Sequence, residues 1–149
     1  MGASGWRYVT PYQSDFGAAL RTVRAQVLAS GEYFSPTEWG LPAPASPGEL
    51  FENPVYWEFM GTSGTHSVLD VDRVIATEEE HDFGTVRPLS VAAIRVGFGS
   101  DQPSLADFNG MDPGDLDALE EAPRWSGHCM ALYEDGVPCA LAFWGVSGD

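Results

Sequence analysis

The sequence predicts an α+β fold with a mainly antiparallel sheet, and three observations lead to this prediction. The local signals run in the order strand, helix, irregular segments, strands, short helix and hairpin, rather than as alternating strands and helices. A long amphipathic pattern lies near the N-terminus, and two apolar runs separated by a turn signal close the chain. We therefore expect one domain over residues 1–149, with a long N-terminal helix, a short acidic helix and a C-terminal β-hairpin.

The composition supports a folded chain. Hydrophobic residues make up 44% of the 149 positions and include five Trp, five Tyr and eight Phe. A domain of this length buries roughly 68–70% of the surface that its unfolded chain exposes. This apolar content is sufficient for a core and argues against disorder despite the high charge.

The N-terminal third predicts a strand followed by a helix. Residues 6–10 alternate aromatic and β-branched side chains and stop at Pro11, which is typical of a short strand. Ser14 or Asp15 is suited to cap a helix that runs to about residue 30, where Gly31 would close it. Its buried stripe would hold residues 16, 19, 20, 23 and 27, with Arg21 and Arg24 outside the stripe.

The segment 32–48 contains four prolines and cannot hold regular structure for long. We interpret it as a long surface crossover, and a recognition loop anchored by Phe34 and Trp39 is the alternative. Short helical pieces are expected at residues 49–53 and 55–60.

Two strands and one helix are predicted in the second half. Residues 67–75 and 90–98 are apolar and β-branched, so both are expected to be strands. The first of these would place Leu69 and Val71 on one face and His66, Asp70 and Asp72 on the other. Further along, residues 112–121 combine an Asp N-cap, a proline at the first helical position and an acid in the first turn, which predicts a short helix.

The closing hairpin is the strongest local signal. Residues 125–133 and 137–144 flank an Asp-Gly turn signal. A two-residue loop would place Cys129 opposite Ala142, whereas a three-residue loop with a bulge at Gly136 would bring Cys139 opposite Ala131, and neither register suits a disulfide. We expect two reduced, packed thiols, with the hairpin serving as core through Trp125, Met130, Leu132, Leu141 and Phe143.

Charge is the extreme property of this chain. Its 22 acids and seven basic residues, all arginine, give a formal net charge of −15. Residues 70–149 carry sixteen acids and four arginines, whereas residues 1–69 carry six acids and three arginines. Such a field disfavours binding to nucleic acid or anionic lipid and favours fast, salt-sensitive association with a basic protein.

The nucleotide-binding and nucleophile motifs are incomplete. Residues 97–102 contain the first two glycines of a dinucleotide fingerprint, but Gln102 replaces the third. The chain contains no Lys, which excludes a Walker-type phosphate loop. His128 and Cys129 are adjacent on a predicted strand, so their side chains point to opposite faces and cannot pair.

Two sets of side chains are candidate sites. Imidazoles and carboxylates at His66, Asp70, Asp72 and His81 could serve a metal-dependent or hydrolase-like enzyme, although their spacing matches no metal motif and no cofactor is expected. The acidic positions are candidates for binding a basic partner, and they are Glu78, Glu79, Glu80, Asp82, Asp115, Asp117, Glu120 and Glu121. Glu120 and Glu121 would lie at the end of the short helix, where negative charge disfavours the helix.

The N-terminus lacks the basic and apolar blocks of a signal peptide, and no run of about 18 apolar residues suggests a membrane span. We therefore expect a cytoplasmic protein without membrane partners.

Three phrases resemble a family of small actinobacterial proteins of unknown function: residues 5–12, residues 64–70 and residues 143–149. The resemblance implies a lineage and brings no catalytic residues. Our leading hypothesis is an acidic protein-binding module, most concretely an immunity-type inhibitor of a basic toxin or nuclease. The small enzyme that uses His66, Asp70, Asp72 and His81 is the alternative.

Overall fold

The computed structural model describes residues 4–148, which form one five-stranded sheet covered by helices on both faces. The bounds of the strands are Gly5–Pro11 for β1, Arg73–Val74 for β2, Thr85–Pro88 for β3, Ser126–Glu134 for β4 and Val137–Val146 for β5. In space they follow the order β1, β5, β4, β3, β2. The helices are α1 Phe16–Ser30, α2 Glu49–Glu52, α3 Trp57–Thr62, α4 Val91–Phe98, α5 Leu105–Asn109 and α6 Pro113–Leu119.

Antiparallel pairing dominates the sheet. Strand β5 pairs antiparallel with β1 along the whole of β1 and with β4 along the hairpin. The short strands β3 and β2 then extend the sheet in parallel from β4. The predicted α+β class is therefore confirmed, and the parallel edge is an addition that the sequence did not indicate.

The hairpin forms around a two-residue turn. Asp135 and Gly136 have φ angles of 51° and 77°, the left-handed pair that a type I′ turn requires. An irregularity between Leu132 and Tyr133 shifts the pairing by one residue, so Cys129 lies opposite Phe143 and not opposite Ala142 as the regular two-residue register predicts. Both thiols are free.

The expectation of two packed thiols holds for only one of them. Cys129 is buried, whereas Cys139 is exposed beside the irregularity.

Side-chain alternation along β4 and β5 divides the core into two layers. One face of the hairpin, with Cys129, Leu141 and Phe143, packs against α1, α2 and α3. The opposite face, with Met130, Leu132 and Trp144, packs against residues of α4, α5 and α6. The hairpin is therefore the shared centre of both layers, as its apolar composition predicted.

Helix α1 begins and ends at the predicted residues. The Asp15 carboxylate accepts the Gly17 N–H at 2.8 Å, and Gly31 adopts a φ of 72° as its N–H bonds to the Leu28 carbonyl. The predicted stripe is buried from Ala19 to Val27, whereas its first member, Phe16, is half-buried. Arg24 was expected outside this stripe, but it is only 7% exposed and lies inside it.

The predicted strand over residues 67–75 is wrong. The Ser67 hydroxyl accepts the Leu69 N–H and starts a 3₁₀ turn over Val68–Asp70, and only Arg73–Val74 joins the sheet. Every residue from 67 to 71 is buried, so the alternation of faces that would separate His66, Asp70 and Asp72 from Leu69 and Val71 does not exist.

The predicted strand over residues 90–98 is also wrong, because this segment forms α4. Ser90 caps it by accepting the Ala93 N–H, and Gly99 closes it with a φ of 72°. Ile94 and Phe98, four residues apart, pack against the second layer, whereas Val96 is 87% exposed. The apolar positions thus follow helical spacing. The segment is short and rich in β-branched residues, so periodicity alone did not separate this helix from a strand.

Candidate functional site

Of the four residues of the enzyme hypothesis, His66 and Asp70 lie close enough to act on each other, whereas Asp72 and His81 have other partners. The His66 ring stacks on Phe34, with centroids 5.0 Å apart. Asp70 is buried in its own turn, and Asp72 forms an ion pair with Arg73 at 2.8 Å. His81 contacts a different histidine altogether. Among residues 4–148, no group of three or more His, Cys, Asp or Glu side chains is arranged to hold a metal ion.

The Asp70 carboxylate is held by the turn that precedes it. Its Oδ1 accepts the Thr65 N–H at 2.6 Å and the Thr65 hydroxyl at 2.8 Å. Gly64 has a φ of 67°, and a Cβ there would meet Asp70 Oδ2 at 2.7 Å, so only glycine fits beside the carboxylate. Burial raises the pKa of Asp70 to about 6, against the opposing effect of the Thr65 hydrogen bonds.

A pair of histidines connects the segment before β3 with β4. His81 Nε2 lies 3.2 Å from His128 Nε2, and His81 Nδ1 lies 2.8 Å from the Thr85 hydroxyl. That hydroxyl donates its one hydrogen to the Asp82 carbonyl, so it accepts from His81 Nδ1–H. The network therefore assigns a bare Nε2 to neutral His81 and an Nε2–H donor to His128.

The surroundings of both histidines favour the neutral imidazole. The pKa of His128 is lowered to about 4, chiefly by burial and next by the neighbouring His81, while Glu120 acts in the opposite direction. The pKa of His81 is also lowered, first by burial and then by the Arg87 guanidinium. Protonation of His81 at Nε2 would set its N–H against the Nε2–H of His128, so protonation at this atom would break the contact.

Arg87 joins the two acidic segments. Its Nη2 forms an ion pair with the Glu120 carboxylate just beyond α6, and its Nη1 donates to the Glu79 carbonyl at 2.9 Å. The Arg87 and Glu120 side chains are 17% and 21% exposed. Segments about forty positions apart in sequence therefore meet through one largely buried guanidinium.

Residues 78–82, which we call the acidic loop, present their carboxylates to solvent. Glu78, Glu79, Glu80 and Asp82 are exposed. The Glu79 side chain also accepts the Ala76 N–H at 3.0 Å, which fixes the turn. The loop is held from beneath by the backbone and by His81, and its charges point outward.

The remaining acidic candidates differ in their surroundings. Glu121 is exposed next to Glu120. Asp115 and Asp117 are exposed on α6, where Asp115 lies by Gly97 and Phe98 while Asp117 lines a small cavity beside Trp144. Glu120 lies outside α6 in extended conformation and neutralises Arg87, so the expectation that its charge does not help the fold is wrong.

Sequence reasoning missed His128, Thr85 and Arg87 as parts of this site. Arg87 and His128 are cross-strand partners in the parallel β3–β4 pair. The two residues are distant in sequence, so no local sequence pattern predicts this contact. Strand parity did separate His128 from Cys129 correctly, and His128 lies on the same face as Met130.

No family model, curated protein or solved structure matches this chain. The resemblance to small actinobacterial proteins therefore stays an expectation. Within residues 4–148, none of the helices has the length and apolar character needed to span a bilayer.

Proposed function

We propose that this protein is an acidic protein-binding module that takes a basic partner on the acidic loop and on the exposed Glu121, which follows Glu120. The observation that carries the proposal is the way the loop is supported. Arg87 and His81 fix its backbone from beneath, while Glu78 and Glu80 make no hydrogen bond or ion pair with any other residue in the range 4–148.

A loop fixed in this way suits recognition by charge. Its backbone loses little conformational freedom when a partner binds, so less of the interaction energy is spent on ordering the loop. The free carboxylates remain available for guanidinium or ammonium groups, which form the stronger charge-assisted hydrogen bonds.

The field of the whole chain favours the same class of partner. A net charge of −15 attracts a basic protein over distances of about one Debye length, roughly 10 Å at 0.1 M salt, and speeds the encounter. The same field opposes binding to the phosphate backbone of a nucleic acid.

The most concrete form of the proposal is an immunity-type inhibitor that covers a basic toxin or nuclease in the cytoplasm. Both cysteines are free, which agrees with a reducing compartment. An inhibitor of this type needs no catalytic group of its own, and its affinity would rest on complementary charge around the acidic loop.

Capture from the native host tests the proposal. Tagged protein should retain a basic protein at about 50 mM salt and release it at about 0.5 M, where the Debye length falls to a few ångströms. Two variants with equal charge make the test specific. The loop variant is E78Q/E79Q/E80Q/D82N, and the control variant, on exposed acids of the segments that cover the other face of the sheet, is E32Q/E38Q/E52Q/E58Q.

The control variant should retain the same basic protein as the wild type, and the loop variant should lose it. Amide side chains keep the oxygens that accept the Ala76 and Phe83 N–H groups, so the loop should hold its shape. Retention of one protein at the same salt by both variants would contradict the proposed surface, and recovery of only acidic proteins would contradict the proposed partner.

A further inference from the structure

A second feature of the molecule is a cleft between the first half of α1 and strand β2. It has a volume of about 720 Å³, within the range of small-molecule sites. Three of the seven arginines of this acidic chain line it, namely Arg21, Arg24 and Arg73. Because the chain has so few arginines, the presence of three of them in one cleft needs a physical explanation.

Arg24 is the central group. It is 7% exposed, its Nη2 donates to the Pro47 carbonyl at 3.0 Å, and its guanidinium lies 5.6 Å from the centroid of the Phe51 ring. Nε is buried, and no acceptor within residues 4–148 takes a hydrogen bond from Nε or Nη1. No carboxylate in that range lies within ion-pair distance of Arg24. A guanidinium stays charged in proteins, so this buried cation has two donor groups without a protein acceptor.

The carboxylates that line the cleft are engaged elsewhere. Asp15 Oδ1 caps α1 by accepting the Gly17 N–H at 2.8 Å. Asp72 Oδ1 accepts from Arg73 Nη1, also at 2.8 Å, and Arg73 in turn reaches Asp82 at 3.9 Å. Asp72 acts on Arg24 only through space. The cleft thus combines one neutralised arginine with two arginines, Arg21 and Arg24, that form no ion pair with residues 4–148.

The wall of the cleft also has an apolar part. Phe16, Leu20 and Val74 line it together with the arginines. Small-molecule sites commonly combine such an apolar wall with a few convergent polar groups that fix the orientation of the ligand. The planar fork of an arginine matches the two oxygens of a carboxylate or phosphate group.

We propose that this cleft binds a small organic anion, whose carboxylate or phosphate group is held by Arg24 and Arg21 and whose apolar part lies against Phe16, Leu20 and Val74. The anion supplies the acceptors that Arg24 Nη1 and its neighbour Arg21 do not find within the fold. This proposal does not rest on the protein-binding function, because the residues that hold the anion lie outside the acidic loop, which the cleft meets where Arg73 reaches Asp82 at 3.9 Å.

Titrations followed by ¹H–¹⁵N correlation NMR test the site with three probes: phenyl phosphate, benzoate and inorganic phosphate, at a constant ionic strength of about 0.1 M. Phenyl phosphate or benzoate should give saturable shifts confined to residues 14–24 and 72–74, with a dissociation constant below about 1 mM. The probe that binds more tightly of these two identifies the anionic group. Absence of saturable shifts with both up to about 20 mM would overturn the proposal.

Substitutions of the arginines distinguish a specific binding site from nonspecific electrostatic attraction of the anion. Arg24→Met keeps the apolar stem of the side chain and should abolish binding. If Arg24→Met does not fold, Arg21→Gln, at an exposed position, should weaken binding at least about fivefold. Arg95→Gln removes an exposed arginine paired with Asp101 outside the cleft and should leave binding unchanged. Equal weakening by Arg21→Gln and Arg95→Gln would overturn the site, and equal affinity for inorganic and phenyl phosphate would overturn the role of the apolar wall.

Discussion

Replacing Asp70 with Asn should remove a pH-dependent part of the stability of this protein. The Asp70 carboxylate is fully buried and its pKa is raised from 3.8 to about 6, chiefly by loss of water. The groups that face it are Thr65, Ser67, His66 and the more distant Tyr8. Asn keeps the oxygen that accepts both Thr65 hydrogen bonds, and its amide replaces Oδ2, which has no hydrogen-bond partner within residues 4–148.

The sign and size follow from the raised pKa. The folded state binds the Asp70 proton more tightly than the unfolded chain does, so this residue favours folding most below pH 3.8 and the benefit is lost as the pH rises through about 6. A change of one pKa unit corresponds to about 1.4 kcal/mol, which gives about 3 kcal/mol for Asp70 across this window. Asn does not titrate, so the variant lacks this component.

Urea unfolding followed by Trp fluorescence measures the effect. The difference in unfolding free energy between Asp70→Asn and wild type should shift by about 3 kcal/mol in favour of the variant between about pH 3.5 and pH 7.5. Micromolar protein limits aggregation near the pI of about 4.2. Glu38→Gln, which removes one exposed carboxylate, serves as the control for the loss of one negative charge. Parallel curves for Asp70→Asn and wild type would refute the reasoning.

Three further predictions test other parts of the fold. His128 has a lowered pKa, so its contribution to the free energy of unfolding is present above pH 6.5 and is lost as the pH falls towards about 4. His128→Gln should remove this loss of stability at acid pH, measured in the same urea titrations. Gly145→Ala should destabilise the protein by about 1–3 kcal/mol, because the added methyl group would overlap the Trp6 ring of β1. Gly61→Ala, which adds a methyl group in open space within α3, should stabilise the protein by up to about 1 kcal/mol, and thermal unfolding measures both effects. Exposed Cys139 should react with a thiol reagent in the native protein, and buried Cys129, whose pKa is raised, should react only after denaturation; two fast thiols would contradict the packing.

Local signals in the sequence were sufficient for α1 and the hairpin. Asp15 and Gly31 carry their own capping geometry, and the Asp-Gly turn needs no distant contact to form. The two wrong strands, residues 67–75 and 90–98, are short and β-branched, and such runs occur in both buried helical turns and strands. Ser67 and Ser90 cap these two segments, but a capping serine indicates a helical turn only when a helix is considered as an alternative to a strand.

The candidate site was less predictable because its contacts connect distant segments. The parallel pairing of β3 with β4 sets Arg87 beside His128, and the end of α6 then brings Glu120 to Arg87. The sequence showed the acidic residues but not which carboxylates the fold uses. Glu120 neutralises the largely buried Arg87, whereas Glu78 and Glu80 remain free of protein partners within residues 4–148.

The affinity of three proteins for one basic probe tests the acidic loop most directly. Wild type, loop variant and control variant are titrated with a nine-residue polyarginine peptide over a range of salt concentrations, with fluorescence anisotropy as the readout. At about 50 mM salt the loop variant should bind at least about tenfold more weakly than wild type and with a shallower salt dependence, while the control variant stays within about twofold. Equal weakening of the two variants, which have the same net charge, would show that only the overall field attracts the probe and would contradict a binding surface at residues 78–82.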